Sequence, residues 1–262
     1  MDRRSHIQKY TKQDFLCMRK AGVYSASVLD FITDYVHPGT TTDTLNTLCH
    51  DKIVSDGYVP APLNYKGYPK SICTSINHVI CHGIPSNRKL EDGDILNIDV
   101  TVIVDGWYGD TSRMYYVGKA PTKARRLCEV TYDAMMLAID QVRPGVGLAV
   151  IGKTIQEYVE QYGFSVVRDF CGHGIGKEFH MPPNVVHYYE PSFNPTLEEG
   201  MCFTIEPMIN AGKPDVIVLQ DKWTAVTRDR SLSAQFEHTI GVTSTGREIF
   251  TISPKGYTRP PY

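Results

Sequence analysis

No stretch of the 262-residue chain approaches the roughly 20 consecutive apolar residues that span a bilayer, and the opening MDRRSHIQKYTKQDF lacks the apolar segment of a secretory signal. Neither export nor a membrane is expected, and the expected compartment is cytoplasmic. Charge of one sign is also missing: 27 Lys and Arg stand against 29 Asp and Glu with no long single-sign run. That balance leaves no electrostatic footprint for phosphate backbones or anionic lipid, so nucleic acid is not an expected partner. The seven cysteines are odd in number, scattered, and never spaced as C-x-x-C, which fits free thiols rather than a disulfide framework and signals no zinc knuckle. Any metal chemistry must use other ligands. What the chain does have is bulk: with 42% hydrophobic residues it can bury a sizeable core, and disorder is not expected.

The chain is also internally repetitive. VHPGTTTDTLNTLCHDKIVSDGY, from Val36, aligns without gaps with VRPGVGLAVIGKTIQEYVEQYGF, from Val142, at an offset of 106. Pro38 matches Pro144, Gly39 matches Gly145, and Gly57 matches Gly163. Each unit follows a helical pattern, Tyr24 to Val36 in one half and Val130 to Val142 in the other, and Pro-Gly is expected to end each helix. Downstream, KLEDGDILNID resembles TLEEGMCFTIE at an offset of 107, which makes Asp99 and Glu206 equivalent. His-Gly-Ile occurs twice, at His82 and at His173, each time ahead of its half's strand. These repeats predict a pseudo-two-fold α+β fold with a cleft shared between the halves.

DILNIDVTVIVDGWYGDT (Asp94 to Thr111) reads as a hairpin turning at Asp105-Gly106. In that register Asp110 faces Thr101, and Asp99 lies diagonally on the same face. Their Cα atoms are then roughly 7–8 Å apart, close enough for both carboxylates to converge on one small object. In the second half Glu206 follows an apolar run, and Glu237 is expected mid-strand within AQFEHTIGV. No Lys or Arg adjoins any of the four in strand alternation, and isolated buried carboxylates are costly. A metal is the economical partner. Four carboxylates and His173, in the turn CGHGIG, form an oxygen-rich set that two divalent ions (Mn, Fe, Co or Zn) would neutralise. Any one of these acids could be a solvated strand-edge residue; the duplicated positions and the hairpin parity argue against that for the set. The residues alone thus point to a two-metal hydrolase.

INHVICHGIP, ILNIDVTVIVDGWYGDTSRMYYVG, FCGHGIGKEFHMPP, MCFTIEPMI, SLSAQFEHTIGVT and LNYKGYPKSICTSIN closely resemble the bacterial-type (type I) methionine aminopeptidase family, in its motif order from about Tyr10 to Pro254. The resemblance implies a "pita-bread" fold: one catalytic domain of two pseudosymmetric halves, about 10–120 and 121–254, with a curved antiparallel sheet and helices outside. It implies Asp99, Asp110, His173, Glu206 and Glu237 as ligands of two divalent metal ions, with Asp110 and Glu237 bridging. It further implies that water acidified by the two ions attacks the scissile carbonyl, with Glu206 as proton shuttle. His82 and His180 would contact the substrate and steady the tetrahedral intermediate. Tyr65, Tyr68, Cys73, Phe179 and Trp223 would line the methionine pocket, and Asn77, Val79 and Ser233 would form a peripheral monovalent-cation site. One departure is Pro62, which stands where family members often carry Cys. The implied substrate is the N-terminal methionine of nascent proteins with a small second residue. The implied state is a monomer, with at most transient ribosome contact because no docking extension precedes the fold.

His6, His50 and His187 are read as surface or packing residues without a role. GLAVIGKT (Gly147 to Thr154) has the letters of a phosphate loop, but a helical segment and Pro144-Gly145 precede it where a buried strand is required. Proline-directed peptidases of the same fold usually carry a long N-terminal domain, whereas here the catalytic motifs begin almost at once. A metal-free binding protein is disfavoured because all five ligand positions are filled.

Overall fold

Thr11 starts the first helix. Its side chain accepts a hydrogen bond from the Asp14 backbone while Asp14 caps the Thr11 N–H in return, a reciprocal capping box. The computed structural model describes residues 7–262, so His6 lies outside them. Helix α1 spans Lys12–Ile32 and α2 spans Thr42–Ser55. Strands β1 (Val59–Pro60), β2 (Cys73–Ile76), β3 (Val79–Cys81), β4 (Ile95–Val104) and β5 (Trp107–Tyr116) complete the first half. The second half opens with α3 (Thr122–Asp140) and α4 (Val150–Glu160), followed by β6 (Ser165–Val166), β7 (Gly172–Gly174), β8 (Met181–Val185), β9 (Cys202–Ile205) and β10 (Met208–Asn210). It closes with β11 (Val216–Val218), β12 (Ala225–Thr227), β13 (Ser233–Gln235), β14 (His238–Val242) and β15 (Arg247–Ile249).

The helices end earlier than the apolar pattern suggests: Val36 and Val142 both lie outside α1 and α3. Pro38 and Pro144 follow each by two residues, and a proline disfavours helical backbone ahead of it. The repeat is written in hydrogen bonds. Gly39 N–H donates to Leu90 O at 2.8 Å, and Gly145 N–H donates to Leu197 O at 2.9 Å; Leu90 and Leu197 return bonds to Thr40 and Val146, each at 2.8 Å. Gly39 and Gly145, Gly57 and Gly163, and Gly93 and Gly200 are paired left-handed glycines, with φ between +73° and +96°. The His-Gly-Ile tripeptides do not belong to this symmetry. His82 follows β3 with φ +56°, whereas His173 lies inside β7.

The β4–β5 hairpin has the expected register, Val104 opposite Trp107 and Thr101 opposite Asp110. Asp105 and Gly106 supply the two positive φ values, +51° and +80°, that a tight right-twisted hairpin turn needs. Among the described residues all strand pairs are antiparallel, as expected for this fold, and hydrogen bonding groups them into four sheets. The division has a local cause at the second-half carboxylates. Pro207 lacks an N–H, so the ladder of β9 cannot continue past Glu206, and the chain re-enters a different sheet as β10. Glu237 likewise stands between β13 and β14, which belong to different sheets, and is not mid-strand as the sequence suggested.

The helices cover the outside. Met18, Leu29, Leu45 and Ile53 bury against Ile98 and Val100 in the first half, while Leu127, Ile139, Ile151 and Ile155 bury with Phe203 and Phe236 in the second. Each such side chain contributes roughly 1.5–3 kcal/mol by leaving water. The apparent phosphate loop is part of this packing. Gly152 sits inside α4, where a Cβ would come within 2.1 Å of the Tyr188 carbonyl oxygen, so its glycine serves close helix packing. The halves are joined by the Ser112–Glu237 bridge, by Asn97 Nδ2 donating to Gln235 O at 2.8 Å, and by β12 pairing with β3.

Candidate active site

The seam between the halves is where the carboxylates meet. Asp110 leaves β5 towards a cavity of about 320 Å³, opposite Thr101, whose hydroxyl donates to Asp110 Oδ1 at 2.6 Å. Thr239 fixes the Asp110 backbone from the other half, donating to its carbonyl at 2.7 Å. His173 presents Nε2 to Asp110 Oδ2 at 3.5 Å and to Glu206 Oε1 at 3.7 Å. Its Nδ1 lies 3.1 Å from the Gly174 carbonyl, so the neutral ring carries its proton on Nδ1 and turns Nε2 to the acids, where a metal-free site can protonate it. Glu237 is held by its backbone N–H donating to Ser112 O at 3.1 Å. Single ligand atoms of Asp110, His173 and Glu237 all fall within 4.8 Å of one another, and Asp99 and Glu206 line the same cavity.

Burial here works against charge. Loss of solvent, then the neighbouring carboxylates, push Asp99 and Glu237 well above the usual carboxylate range. Burial raises Glu206 to about 7, with His173 opposing and Asp110 adding to the shift. Burial disfavours protonation of His173, but the hydrogen bond to Asp110 and the charges of Glu206 and Asp110 outweigh it, and the ring is held above its ordinary value. Among the described residues no Lys or Arg pairs with any of the four acids, and the one cationic candidate beside Asp110 and Glu206 is His173. Glu237 Oε1 is buried with no hydrogen-bond partner among the described residues. An orphaned buried carboxylate oxygen beside three other acids and an imidazole lone pair is the donor set a divalent cation satisfies, so these residues fit a metal.

Above the acids, His82 and His180 flank the cavity. His82 packs edge-on against Phe170 at 5.5 Å and Trp223 at 6.0 Å, and burial holds it below its ordinary value. His180 Nδ1 lies 2.9 Å from the Tyr65 hydroxyl, and enclosure in the stack of Tyr65, Phe179 and His173 also keeps it deprotonated. Tyr65, Tyr68, Cys73, Phe179 and Trp223 line the remaining wall, with Tyr68 against Trp223 at 5.2 Å, and Pro62 joins them. The twelve residues named from the sequence as metal ligands, substrate contacts or methionine-pocket lining therefore border one cavity, and the three named for a cation site do not. At the periphery Ser233 N–H donates to Asn77 O at 2.8 Å, while Val79 pairs with Val226 in β3.

Several participants were not read from the sequence. Thr204 takes the His173 N–H at 3.0 Å and donates to Glu206 Oε1 at 2.7 Å, and Gln235 Nε2 donates to Glu206 Oε2 at 3.3 Å. Thr204 is two residues from Glu206, so strand parity could have found it. Cys81, Phe170 and Met208 add to the apolar wall beside residues already singled out. His187, assigned no role, is fully buried, and its Nε2 accepts the Glu206 backbone N–H at 3.0 Å; nothing in its sequence context signals this. Replacing His187 with Ala is expected to strand that N–H and weaken metal binding by about 10- to 100-fold, as loss of an outer-sphere support does. His187→Asn, which restores an acceptor, should recover part of the loss in a metal titration.

Residues 16–244 match the metallopeptidase family M24. The chain is 61% identical to methionine aminopeptidase of Rickettsia prowazekii (strain Madrid E), over 98% of this chain and 99% of that protein. It is 54% identical to methionine aminopeptidase of Escherichia coli (strain K12), over 92% of each. The crystal structure of methionine aminopeptidase from Rickettsia prowazekii superposes with a TM-score of 0.93 at 61% identity, covering 94% of this chain and all of that one. The chain belongs to metallopeptidase family M24 and, within it, to the bacterial-type methionine aminopeptidases.

Proposed function

We propose that this chain releases the N-terminal methionine of nascent proteins whose second residue is small, with two divalent ions held by Asp99, Asp110, His173, Glu206 and Glu237. The observation that carries the reading is the orphaned Glu237 oxygen within a cluster of buried acids at the seam of an M24 chain. A divalent ion bound there supplies Lewis acidity, polarising the scissile carbonyl and lowering the pKa of water.

The chain's own residues do the rest. Asp110 from one half and His173 and Glu237 from the other bring single ligand atoms within 4.8 Å of one another and would together hold a divalent ion. Asp99, on β4, and Glu206 line the same cavity and would complete the ligand set. Glu206, steered by Thr204 and Gln235, is placed to move the proton between water and the leaving amine. His82 and His180 are neutral at working pH and can hydrogen-bond the peptide at the reacting carbonyl. The aromatic and sulfur-bearing wall suits a thioether, which makes favourable contacts with ring edges. In this reading the halves, about 10–120 and 121–254, form one catalytic domain. It works as a cytoplasmic monomer, meets the ribosome only transiently, and carries a peripheral monovalent cation near Asn77, Val79 and Ser233.

The test is methionine release from Met-Ala-Ser by metal-stripped protein before and after addition of Mn, Fe or Co ions, with an Ala-Pro peptide as control. Release only with metal is expected. Cleavage of the proline peptide alone would move the assignment to the proline-directed peptidases that share the fold.

A further inference from the structure

The cavity rim carries two exposed charges that the chemistry below does not use, Lys66 and Asp169. Lys66 is set in an unusual turn. Asn64, Lys66 and Gly67 all take left-handed φ values, +66°, +47° and +87°. The turn is closed by backbone bonds, with Asn64 N–H donating to Tyr68 O at 2.7 Å and Tyr68 N–H donating to Tyr65 O at 2.9 Å. Lysine seldom occupies such backbone, and strained positions of this kind cluster where a side chain must be aimed. Here the ammonium stands 5.2 Å from the Tyr65 ring centroid, and that tyrosine in turn meets His180 through its hydroxyl. Lys52 and Lys70 are paired with Asp56 and Asp43, but among the described residues no carboxylate pairs with Lys66. Its charge is therefore available to a ligand.

We propose that Lys66 is a specificity-determining residue that recognises an acidic side chain at the third or fourth position of the peptide whose methionine is released. The inference rests on the proposed function and adds a preference that methionine release does not require. With the methionine against the apolar wall and its carbonyl over the carboxylates, the downstream peptide leaves past the rim. An extended chain advances about 3.3–3.6 Å per residue, so the third and fourth residues pass roughly 7–10 Å beyond the scissile bond. That is within the span covered by a four-carbon lysine stem anchored beside Tyr65 and His180. Asp169, next to Phe170, brings the opposite charge to the same cavity lining, so a preference for basic side chains is the competing outcome. A solvent-exposed ion pair corresponds to about a threefold preference for Glu over Gln, and about tenfold for Glu over Lys once repulsion is included.

The experiment measures kcat/KM of the manganese-loaded protein on Met-Ala-Glu-Ser, Met-Ala-Gln-Ser and Met-Ala-Lys-Ser, at low and high salt. It is repeated with Lys66→Glu and Lys66→Gln. The wild type is expected to rank Glu above Gln above Lys, with the spread contracting in salt. Lys66→Glu should reverse the order, and Lys66→Gln should flatten it. The same ranking in all three proteins, or a preference for Lys in the wild type, would overturn the proposal. Failure of the wild type to release methionine from the Gln peptide would instead defeat the proposed function, and the specificity with it. Should the variants not fold, the salt dependence of the wild-type ranking still decides.

Discussion

Asp110→Asn is expected to lower kcat/KM for Met-Ala-Ser by roughly 10³-fold or more while the protein stays folded. The substitution keeps the side chain's shape and its contact with the Thr101 hydroxyl, and it leaves the backbone bonds to Thr239 untouched. What it removes is the negative charge at the centre of the cluster with His173 and Glu237. Lewis-acid stabilisation is worth several kcal/mol, and each 1.36 kcal/mol is a factor of ten in rate. The metal-free variant should be at least as stable as the metal-free wild type, because one of several mutually repelling buried charges is gone. Kinetics together with urea unfolding of both stripped proteins check the pair of expectations. Equal loss of activity and of stability would mean that Asp110 matters only for folding.

A second large effect is expected in thermal stability on adding metal. At a hundredfold excess over its Kd an ion contributes about 2.7 kcal/mol, which for a chain of this size raises Tm by roughly 5–10 °C. The gain should depend on pH. In the metal-free protein the raised carboxyl of Glu206 favours its protonated form, so its contribution to stability is present below the ordinary Glu value of 4.5. It is lost as pH rises towards about 7. Asp99, Glu237 and His173 are also raised, so they act in the same sense. Metal competes with those protons, and the rise in Tm should be larger at pH 7.5 than at pH 5. Calorimetry at the two pH values, with and without manganese, reads the difference directly; a rise of equal size at both would place the ions away from these acids.

The first-half geometry was legible because a tight hairpin propagates its register. Once Asp105-Gly106 is the turn, every cross-strand neighbour to Asp110 and beyond follows from counting. The repeat was legible for a related reason, since glycines at left-handed positions recur wherever the backbone repeats its turns. The second half was less so. A strand that leaves one sheet for another at Glu206-Pro207 or at Glu237 looks continuous in hydrophobic pattern, because both stretches are buried. The two His-Gly-Ile tripeptides share letters but not backbone conformation. The supports supplied by His187 and Gln235 come from elements that only tertiary packing brings to Glu206, 19 and 29 residues away along the chain.

The most direct test of the metal-centred account is to titrate manganese into stripped wild-type and Asp110→Asn protein while following bound ion and methionine release in the same sample. The account predicts no release from the stripped wild type, saturation at about two ions per chain with activity appearing as ions bind, and weakened binding in the variant. Full activity of the stripped wild type, or identical binding by the two proteins, would contradict it.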